Sequence, residues 1–328
     1  MRKTFRKPIL LRHTVRRTPI TLREFTPADA EAVAQACRAA VPFTVVTAET
    51  LLWELRTAPP EQRYRLLVAE TADGRIAGSV RMGLYTDDDS RPDGRAFASP
   101  YAGPRLDGPT AEAAASALLG AAEEYLAAAG AGSVYIWAND DGRSPARAEA
   151  HGYRRLRRTR FLRLDLAATP LPPAPEAPRG VGLRPLADFA DDPRPIHALD
   201  TECAADEPAD VPVAVPPYEE WLDRDWWRPG LDFALSTVAV VDGVPAAFTL
   251  VQGDGHGRVM SAMTGTARAH RGRGLAKLVK SHALRRAKAA GCTEAFTGND
   301  AGNEPMPAVN EWLGYVWSAA EWRYVREL

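Results

Sequence analysis

The chain of 328 residues is long enough for two average domains, and its composition is that of a globular protein, with 45% hydrophobic and 25% charged residues. A formal net charge of −1 excludes an overall electrostatic attraction to nucleic acids or membranes. The three cysteines, Cys37, Cys203 and Cys292, are far apart, which excludes a disulfide framework or a zinc site and is typical of a reducing cytoplasm. No metal ion is expected, since the cysteines do not form a ligand cluster. No apolar run reaches the length of a membrane-spanning helix, so no membrane partner is expected.

The N-terminal segment, residues 1–17, is predicted to be a basic arm, since it holds seven lysines and arginines and no acid. Its apolar stretch, residues 8–11, is too short for a signal peptide, so a cytoplasmic location is expected.

Three blocks of the first half recur in the second half at nearly constant spacing. TLREFTPADA at 21–30 matches GLRPLADFAD at 182–191, each a short strand followed by a helix start. Matching positions are Arg23 and Arg184 (161 residues apart), Asn139 and Asn299 (160), and Gly152 and Gly314 (162). The repeat predicts two copies of one fold.

A proline-rich segment separates the two copies. Residues 167–180 contain five prolines, which favour extended, solvated backbone and indicate a linker. The predicted domains are therefore residues 18–166 and residues 181–328.

The second copy gives the clearer pattern. Residues 233–269 form three apolar runs broken at Asp242-Gly243 and at 254–257, which predicts an antiparallel meander. Leu275, Leu278 and Val279 begin a helical spacing that ends at Gly291, while lysines such as Lys277 and Lys280 take the other faces. A strand over 292–299, a short helix over 304–314 and a final strand follow. The predicted fold class is α+β, with two tandem domains that each hold a mostly antiparallel mixed sheet flanked by helices.

The loop before that helix, His270 to Ala276, is predicted to bind phosphate. Its two glycines allow a tight turn and close approach of a ligand to the backbone. The first amides of a helix have no internal partner, and together with the helix dipole they attract anions. His270, Arg271 and Arg273 add positive charge. The spacing matches neither a Walker loop nor a complete dinucleotide fingerprint, and a solvated basic helix start is the alternative.

Two motifs resemble the GNAT acetyltransferase superfamily. TGTARAHRGRGLAKLVK is similar to its pyrophosphate-binding motif, with Arg271, Gly274 and Ala276 at the signature positions. TGNDAGNEPMPAVNEWLGY is similar to the strand and helix that follow. Tandem copies with one eroded site resemble actinobacterial members similar to mycothiol synthase.

The resemblance implies an acyl-CoA cosubstrate, most simply acetyl-CoA, and assigns a role to each part of the motif. Backbone at Thr266, Ala267 and Arg268 would pair with pantetheine between two splayed parallel strands. The amides that would hold the pyrophosphate are those of Arg271, Gly272, Arg273, Gly274, Leu275 and Ala276. Asn299 and Asn303 would contact the pantetheine arm or align the thioester, and an amine would attack the thioester carbonyl directly.

The sequence departs from the family pattern at the catalytic positions. Asn310 stands where many relatives carry a tyrosine that protonates the leaving thiolate, and an amide cannot act as a general acid. The strand before the loop holds no carboxylate, although Thr264 on it could align a water molecule. Glu321 on the last strand and His256 before the meander's third strand are candidate bases, with a cross-strand charge and a turn residue as the alternatives. Asn303 and Asn310 could equally be turn and capping residues.

The first copy is predicted to bind coenzyme A weakly or not at all. Arg105 and Gly108 keep the loop skeleton, but Asp107 places a negative charge where phosphate would lie. Pro109 removes an amide donor, and Glu112 competes for the helix dipole. This copy is predicted to pack against the second and to border the acceptor cleft.

Two further segments leave alternatives open. Residues 205–225 hold seven acids beside three tryptophans, which fits a wall for a cationic amine or an amphipathic helix with its tryptophans in the core. The six arginines of residues 154–163 alternate as in a strand with one charged face. They fit an acyl carrier protein as partner better than nucleic acid, because stacking aromatics are not interleaved among them.

The sequence therefore predicts an acyl-CoA-dependent N-acyltransferase that acts on a small-molecule or peptide amine in the C-terminal domain. A non-catalytic CoA-binding regulatory module and an acyltransferase dependent on an acyl carrier protein are the alternatives.

Overall fold

The structure is a computed structural model that describes residues 12–13, 20–41, 43–86, 94–103, 106, 108–206, 215–300 and 305–328. The N-terminal arm, apart from a short strand, and Asn303, Arg105, Asp107 and residues 207–214 lie outside this part of the chain. The helices are α1 (Ala30–Ala40), α2 (Ala48–Thr57), α3 (Gly108–Ala128), α4 (Arg143–Ala150), α5 (Arg194–Ala204), α6 (Tyr218–Trp221), α7 (Leu275–Ala289) and α8 (Pro305–Trp312). The strands are β1 (Arg12–His13), β2 (Ile20–Glu24), β3 (Arg65–Thr71), β4 (Ile76–Leu84), β5 (Arg95–Ala102), β6 (Ser133–Asn139), β7 (Arg154–Asp165), β8 (Val181–Pro185), β9 (Thr237–Val241), β10 (Val244–Gly253), β11 (Arg258–Thr266), β12 (Glu294–Asp300) and β13 (Val316–Glu327).

The order of elements repeats from one half to the other. From β2 to β7, and again from β8 to β13, the chain runs strand, two helices, three strands, helix, strand, helix, strand. This repetition, in a mixed α and β fold, confirms the predicted fold class.

The chain divides into two compact units. The first comprises residues 1–42, 46–156 and 322–328, and the second comprises residues 43–45 and 157–321. The units are divided within β7 and β13, whereas the sequence places the domain boundary in the proline-rich segment. The sequence-based boundaries stay a prediction.

In the second unit the strands follow the order β7, β12, β11, β10, β9, β8. The predicted meander is β9, β10 and β11, which are antiparallel neighbours. Strand β11 is parallel to β12, and β12 is antiparallel to β7. Helix α7 buries Leu275, Leu278 and Val279 against one face, as the periodicity predicts. Phe248 and Met263 on the other face pack with residues of α5 and α6.

The first unit has the same plan. Its strands follow the order β1, β2, β3, β4, β5, β6, and the end of β13 lies beside β6, where the Leu328 amide donates to the Gly132 carbonyl at 3.0 Å. Strands β5 and β6 are parallel, and the other described pairs of this unit are antiparallel. Helix α3 covers one face through a core that includes Leu118, Leu119 and Leu126.

The proline-rich segment contains no helix or strand, and its first residues contact helix α7. Lys288 on α7 donates to the Thr169 carbonyl at 3.0 Å, and Arg285 donates to the carbonyl of Pro172. Leu171 packs against the core beneath α7. The segment therefore lies along the C-terminal half of α7. No helix in the described residues is long and apolar enough to cross a membrane.

Candidate functional site

The second unit contains a gap between two parallel strands. Strands β11 and β12 pair from Arg258 opposite Glu294 to Ser261 opposite Thr297. Beyond that pair β11 continues to Thr266 and β12 to Asp300 without further pairing between them. The strands therefore separate, and backbone groups along both edges face the gap instead of each other.

A β-bulge lies at the closed end of this gap. Leu250 pairs with Met263 and Val251 with Ser261, so Ala262 has no opposite residue on β10. Ala262 is also exposed. A bulge bends its strand and increases the local twist, which turns the end of β11 away from β12. No sequence signal predicts this bulge, because Ala262 lies in an ordinary apolar strand pattern.

The predicted phosphate loop lies at the open end. After β11 the chain makes one 3₁₀ turn, Arg268–His270, and enters α7 through Gly272 and Gly274. These glycines have φ of 75° and 77°, a left-handed conformation that disfavours other residues. The amides of Gly272, Arg273, Gly274, Leu275 and Ala276 donate to no acceptor in the described part of the chain. Several unpaired N–H groups at a helix N-terminus form an anion site.

Two carboxylates from the C-terminal end of α5 and the residues just after it lie at the same loop. The Asp206 carboxylate accepts from Arg268 at 2.7 and 2.8 Å and from Arg271 at 2.5 Å. Glu202 accepts from the backbone amide of Arg268 at 2.6 Å. Hydrogen bonds from Arg268 and then Arg271 hold the pKa of Asp206 well below its usual range. Asp206 belongs to the acidic segment predicted as an acceptor wall, but it faces the loop arginines.

The remaining loop side chains also have contacts. Arg271 Nε donates to the Thr266 carbonyl at 3.2 Å, and Arg273 lies 2.7 Å from Nδ1 of His270. The Ala267 amide donates to Ala246 at 2.9 Å, so it belongs to the sheet.

Two predicted asparagines meet beside the gap. Asn310 on α8 is fully buried and donates from Nδ2 to Oδ1 of Asn299 on β12 at 2.7 Å. Oδ1 of Asn310 is buried without a partner in the described residues. A buried carbonyl oxygen without a donor is costly, and such an atom at a cleft is available to a ligand or a water molecule.

The other candidate catalytic residues occupy separate places. Thr264 Oγ1 lies 2.9 Å from Oγ1 of Thr249 on the neighbouring strand. Glu321 is half-buried on β13. His256 is exposed in the turn before β11, and its backbone amide donates to Asp254 at 2.8 Å, as expected of a turn residue.

One side chain was assigned to the wrong environment from the sequence. The sequence pattern predicts Lys280 on an outer face of its helix, but the side chain is 1% exposed on the inner side of α7. Its amine donates to Thr297 Oγ1 at 3.2 Å. Sequence periodicity could not reveal this, because a lysine in an amphipathic helix is normally solvated.

The tryptophan segment is mostly core. Trp221 and Trp226 are buried, and Trp221 donates to Asp200 at 3.0 Å, whereas Trp227 is 54% exposed. This arrangement agrees with the interpretation of residues 218–227 as an amphipathic segment with core tryptophans. Its second half, Leu222–Trp226, is a π-helical turn.

The corresponding region of the first unit has a gap but a different shape. Strands β5 and β6 pair only from Arg95 opposite Ser133 to Ala98 opposite Ile136. The register of β4 with β5 is unbroken, so this copy lacks the bulge. Its cleft, of about 210 Å³, is lined by charges of both signs, including the Glu112 and Arg147 pair at 2.8 Å. Asn139, the counterpart of Asn299, donates to the Ala40 carbonyl at 3.2 Å.

Comparison with known proteins agrees with this geometry. Residues 197–315 match the family model described as "Acetyltransferase (GNAT) family". No curated protein matches the chain.

Among solved structures, the fold is similar to a GCN5-related N-acetyltransferase from Sphaerobacter thermophilus, with 22% identity over 94% of this chain and 95% of that one and a TM-score of 0.66. It is also similar to a tandem GNAT protein from the clavulanic acid biosynthesis pathway, with 20% identity over 94% of this chain and 98% of that one and a TM-score of 0.68. A GCN5-related N-acetyltransferase from Kribbella flavida matches with 19% identity over 84% and 95% of the two chains and a TM-score of 0.51. Residues 197–315 therefore match the GNAT family model, and the chain as a whole is similar in fold to a tandem GNAT protein.

Proposed function

We propose that this protein is an acyl-CoA-dependent N-acyltransferase whose active site lies in the second unit. The observation that supports this most directly is the combination of a run of unpaired amides at Gly272 to Ala276 with a gap between β11 and β12. The amides suit the pyrophosphate of coenzyme A, and the unpaired strand edge suits the amide groups of its pantetheine arm.

In this proposal different residues along β11 and α7 bind different parts of coenzyme A. Thr266, Ala267 and Arg268 lie where the pantetheine arm enters, and the loop from Arg271 to Ala276 holds the pyrophosphate. Asn299 has its side chain oriented by Asn310, and the free Oδ1 of Asn310 is available to the pantetheine arm. The acyl donor would be acetyl-CoA, the donor of the family whose model matches residues 197–315.

The chemistry would be direct transfer from the thioester to an amine. The acceptor must lose a proton, and the leaving thiolate must gain one. Thr264 and Glu321 are the proposed water-aligning residue and base, and Asn310 would hydrogen-bond the ligand without supplying a proton. The acceptor is an amine of a small molecule or peptide.

The first unit is proposed not to bind acyl-CoA productively. Helix α3 begins at Gly108-Pro109, so one amide of its first turn is absent. Glu112 lies beyond the first turn of α3, in which the sequence places it, but it lines the cleft of this unit and is paired with Arg147.

The proposal is tested by measuring thiol release from acetyl-CoA against a panel of primary amines. We expect release that depends on the amine, together with tight binding of coenzyme A in calorimetry. Slow hydrolysis that is independent of every amine would favour a non-catalytic CoA-binding module, to which the missing acid at Asn310 also points. Absence of coenzyme binding would reject both functions.

A further inference from the structure

A buried lysine lies beside the proposed active site. Lys280 is 1% exposed on α7, and Thr297 is the partner of its amine, at 3.2 Å from Nζ to Oγ1. An ammonium group has three donors, so two of them have no acceptor among the described residues. Burial of such a group without a carboxylate is costly, and a cost of this kind is often associated with function.

No ion pair in the described part of the chain compensates the charge of Lys280. On β12 the neighbour is Thr297, and on the segment before β13 it is Tyr315, whose ring centroid lies 5.8 Å from Nζ. Burial lowers the pKa of Lys280 to about 7, and no charged group contributes to that change. Tyr315 is the titratable neighbour, and burial raises the pKa of its hydroxyl.

The lysine lies at the closed end of the gap between β11 and β12. Thr297 pairs with Ser261, the last pair before the strands separate, and the bulge at Ala262 comes next. Asn299 lies two residues further along β12 on the same face. Lys280 Nζ and Asn310 Oδ1 are thus buried polar atoms with incomplete hydrogen bonding, and their side chains bind Thr297 and Asn299, which are two residues apart on β12. Two such atoms beside the same stretch of β12 indicate a polar ligand.

We propose that Lys280 donates the proton to the sulfur of the leaving coenzyme A thiolate, in place of the acid missing at Asn310. This role rests on the proposed acyltransferase function. The amine nitrogen forms a bond to the thioester carbonyl carbon, and the carbon–sulfur bond breaks with its electron pair on sulfur. A proton passes from Lys280 Nζ to sulfur, which gives the free thiol. The acceptor nitrogen gives its extra proton to Glu321, the proposed base, which passes it to solvent, and water reprotonates the neutral Lys280 amine.

Lys280 suits this step better than its neighbours. The Asn310 amide has no proton to give, and Tyr315, with its raised pKa, is a weaker acid than an unperturbed tyrosine. An acid that titrates near the working pH is both available and able to transfer its proton. Lysine changes its protonation readily when it is buried, which makes it suitable for proton transfer.

The test replaces Lys280 by Met, which has a similar length and no charge, with Lys288→Met at the other end of α7 as the matched control. We expect Lys280→Met to unfold at the same temperature as the wild type or higher, because a buried unpaired amine is removed. We expect its kcat to fall about 100-fold with KM for acetyl-CoA unchanged. We expect kcat of the wild type to decline at high pH as Lys280 loses its proton, and we expect this decline to disappear in Lys280→Met and to persist in Lys288→Met.

A second readout does not depend on turnover. With isotope-labelled lysine, the Lys280 resonance should shift when coenzyme A binds and shift less with desulfo-coenzyme A, which lacks the sulfur. Equal shifts with both ligands, or full activity of Lys280→Met, would overturn the role of Lys280. Acylation of Lys280 itself during turnover would also overturn it, because an amide cannot donate the proton. If the wild type releases no thiol with any amine, the proposed acyltransferase function is wrong. Failure of the Lys280 role and failure of the proposed function are therefore distinguishable.

Discussion

Asn310 donates a hydrogen bond to Asn299 at 2.7 Å, which joins α8 to the open edge of β12. The bond fixes the side chain of Asn299 beside the gap. Asn310, on the helix, stands at the position that the family resemblance assigns to a tyrosine in many relatives. Replacement of Asn310 by Leu removes the donor from Oδ1 of the half-buried Asn299. We expect a loss of about 1–3 kcal/mol in the free energy of unfolding, measured by urea denaturation, and weaker binding of coenzyme A.

The double variant Asn299→Ala, Asn310→Leu separates the hydrogen bond from the rest. If the hydrogen bond is responsible, the sum of the losses in unfolding free energy of the two single variants will exceed the loss of the double variant. Strict additivity would show that the two amides act independently.

The glycine loop gives a prediction about the anion site. At Gly274, with φ of 77°, an aspartate would strain the backbone and place a carboxylate beside the unpaired amides. Gly291, at the other end of α7, has φ of 86° and equally open surroundings, so Gly291→Asp reproduces the strain away from the loop. We expect Gly274→Asp to raise the Kd for coenzyme A at least about tenfold in calorimetry, which corresponds to about 1.4 kcal/mol. Gly291→Asp should leave the Kd near that of the wild type, and an equal rise in both variants would indicate a general effect of strain.

The sequence predicted the elements of the second unit well, because each had a local signal. The meander followed from apolar runs interrupted at Asp242-Gly243, and α7 followed from its apolar spacing and its end at Gly291. Asn299 and Asn310 were each singled out by the family motif, whereas the hydrogen bond between them was not predicted. The features that escaped prediction depend on contacts between distant segments. Asp206 and Arg268 are 62 residues apart, the bulge at Ala262 exists only relative to β10, and residues 322–328 belong to the first unit. No pattern within a short window records such contacts.

Close packing of β11 against α5 gives a third prediction. A Cβ atom at Gly265 would lie 2.6 Å from Sγ and 2.8 Å from Cβ of Cys203, so α5 would have to move. We expect Gly265→Ala to destabilise the protein by about 1–3 kcal/mol in urea unfolding, as overpacking of a core does. Cys203→Ala should restore part of the loss in the double variant. Gly253→Ala, with 3.9 Å to its nearest neighbour, is the control and should lie close to the wild type.

The first unit contains a carboxylate whose ionisation is coupled to folding. Arg23 donates to both oxygens of Asp29 at 2.7 and 2.9 Å, and these hydrogen bonds lower the pKa of Asp29 from 3.8 to about 2. A lowered pKa means that the ion pair contributes its full stability above pH 3.8 and loses it as the pH falls towards 2. Asp29→Asn should therefore be less stable than the wild type at neutral pH, and the difference should shrink between about pH 4 and pH 2. Urea unfolding across this range measures it, with the exposed Asp188→Asn as control. A difference that stays constant with pH would contradict the coupling.

The carboxylate at the phosphate loop gives the last prediction. Asp206 holds the guanidinium groups of Arg268 and Arg271, and both arginines are largely exposed. An anionic ligand at the adjacent amides must compete with the Asp206 carboxylate for the guanidinium groups of Arg268 and Arg271. The negative charge of Asp206 also repels the ligand. We expect Asp206→Asn to lower the Kd for coenzyme A several-fold at low ionic strength. The gain should shrink as salt is added, since exposed charges are screened within about 10 Å at 0.1 M salt. Asp192→Asn removes a carboxylate paired with Arg194 at the opposite end of α5, so it should leave the Kd unchanged at every salt concentration. Weaker binding in Asp206→Asn would contradict this and would show that the carboxylate orients the arginines for the ligand. The entropy lost in ordering the released arginine side chains would then exceed the gain from removing the repulsion.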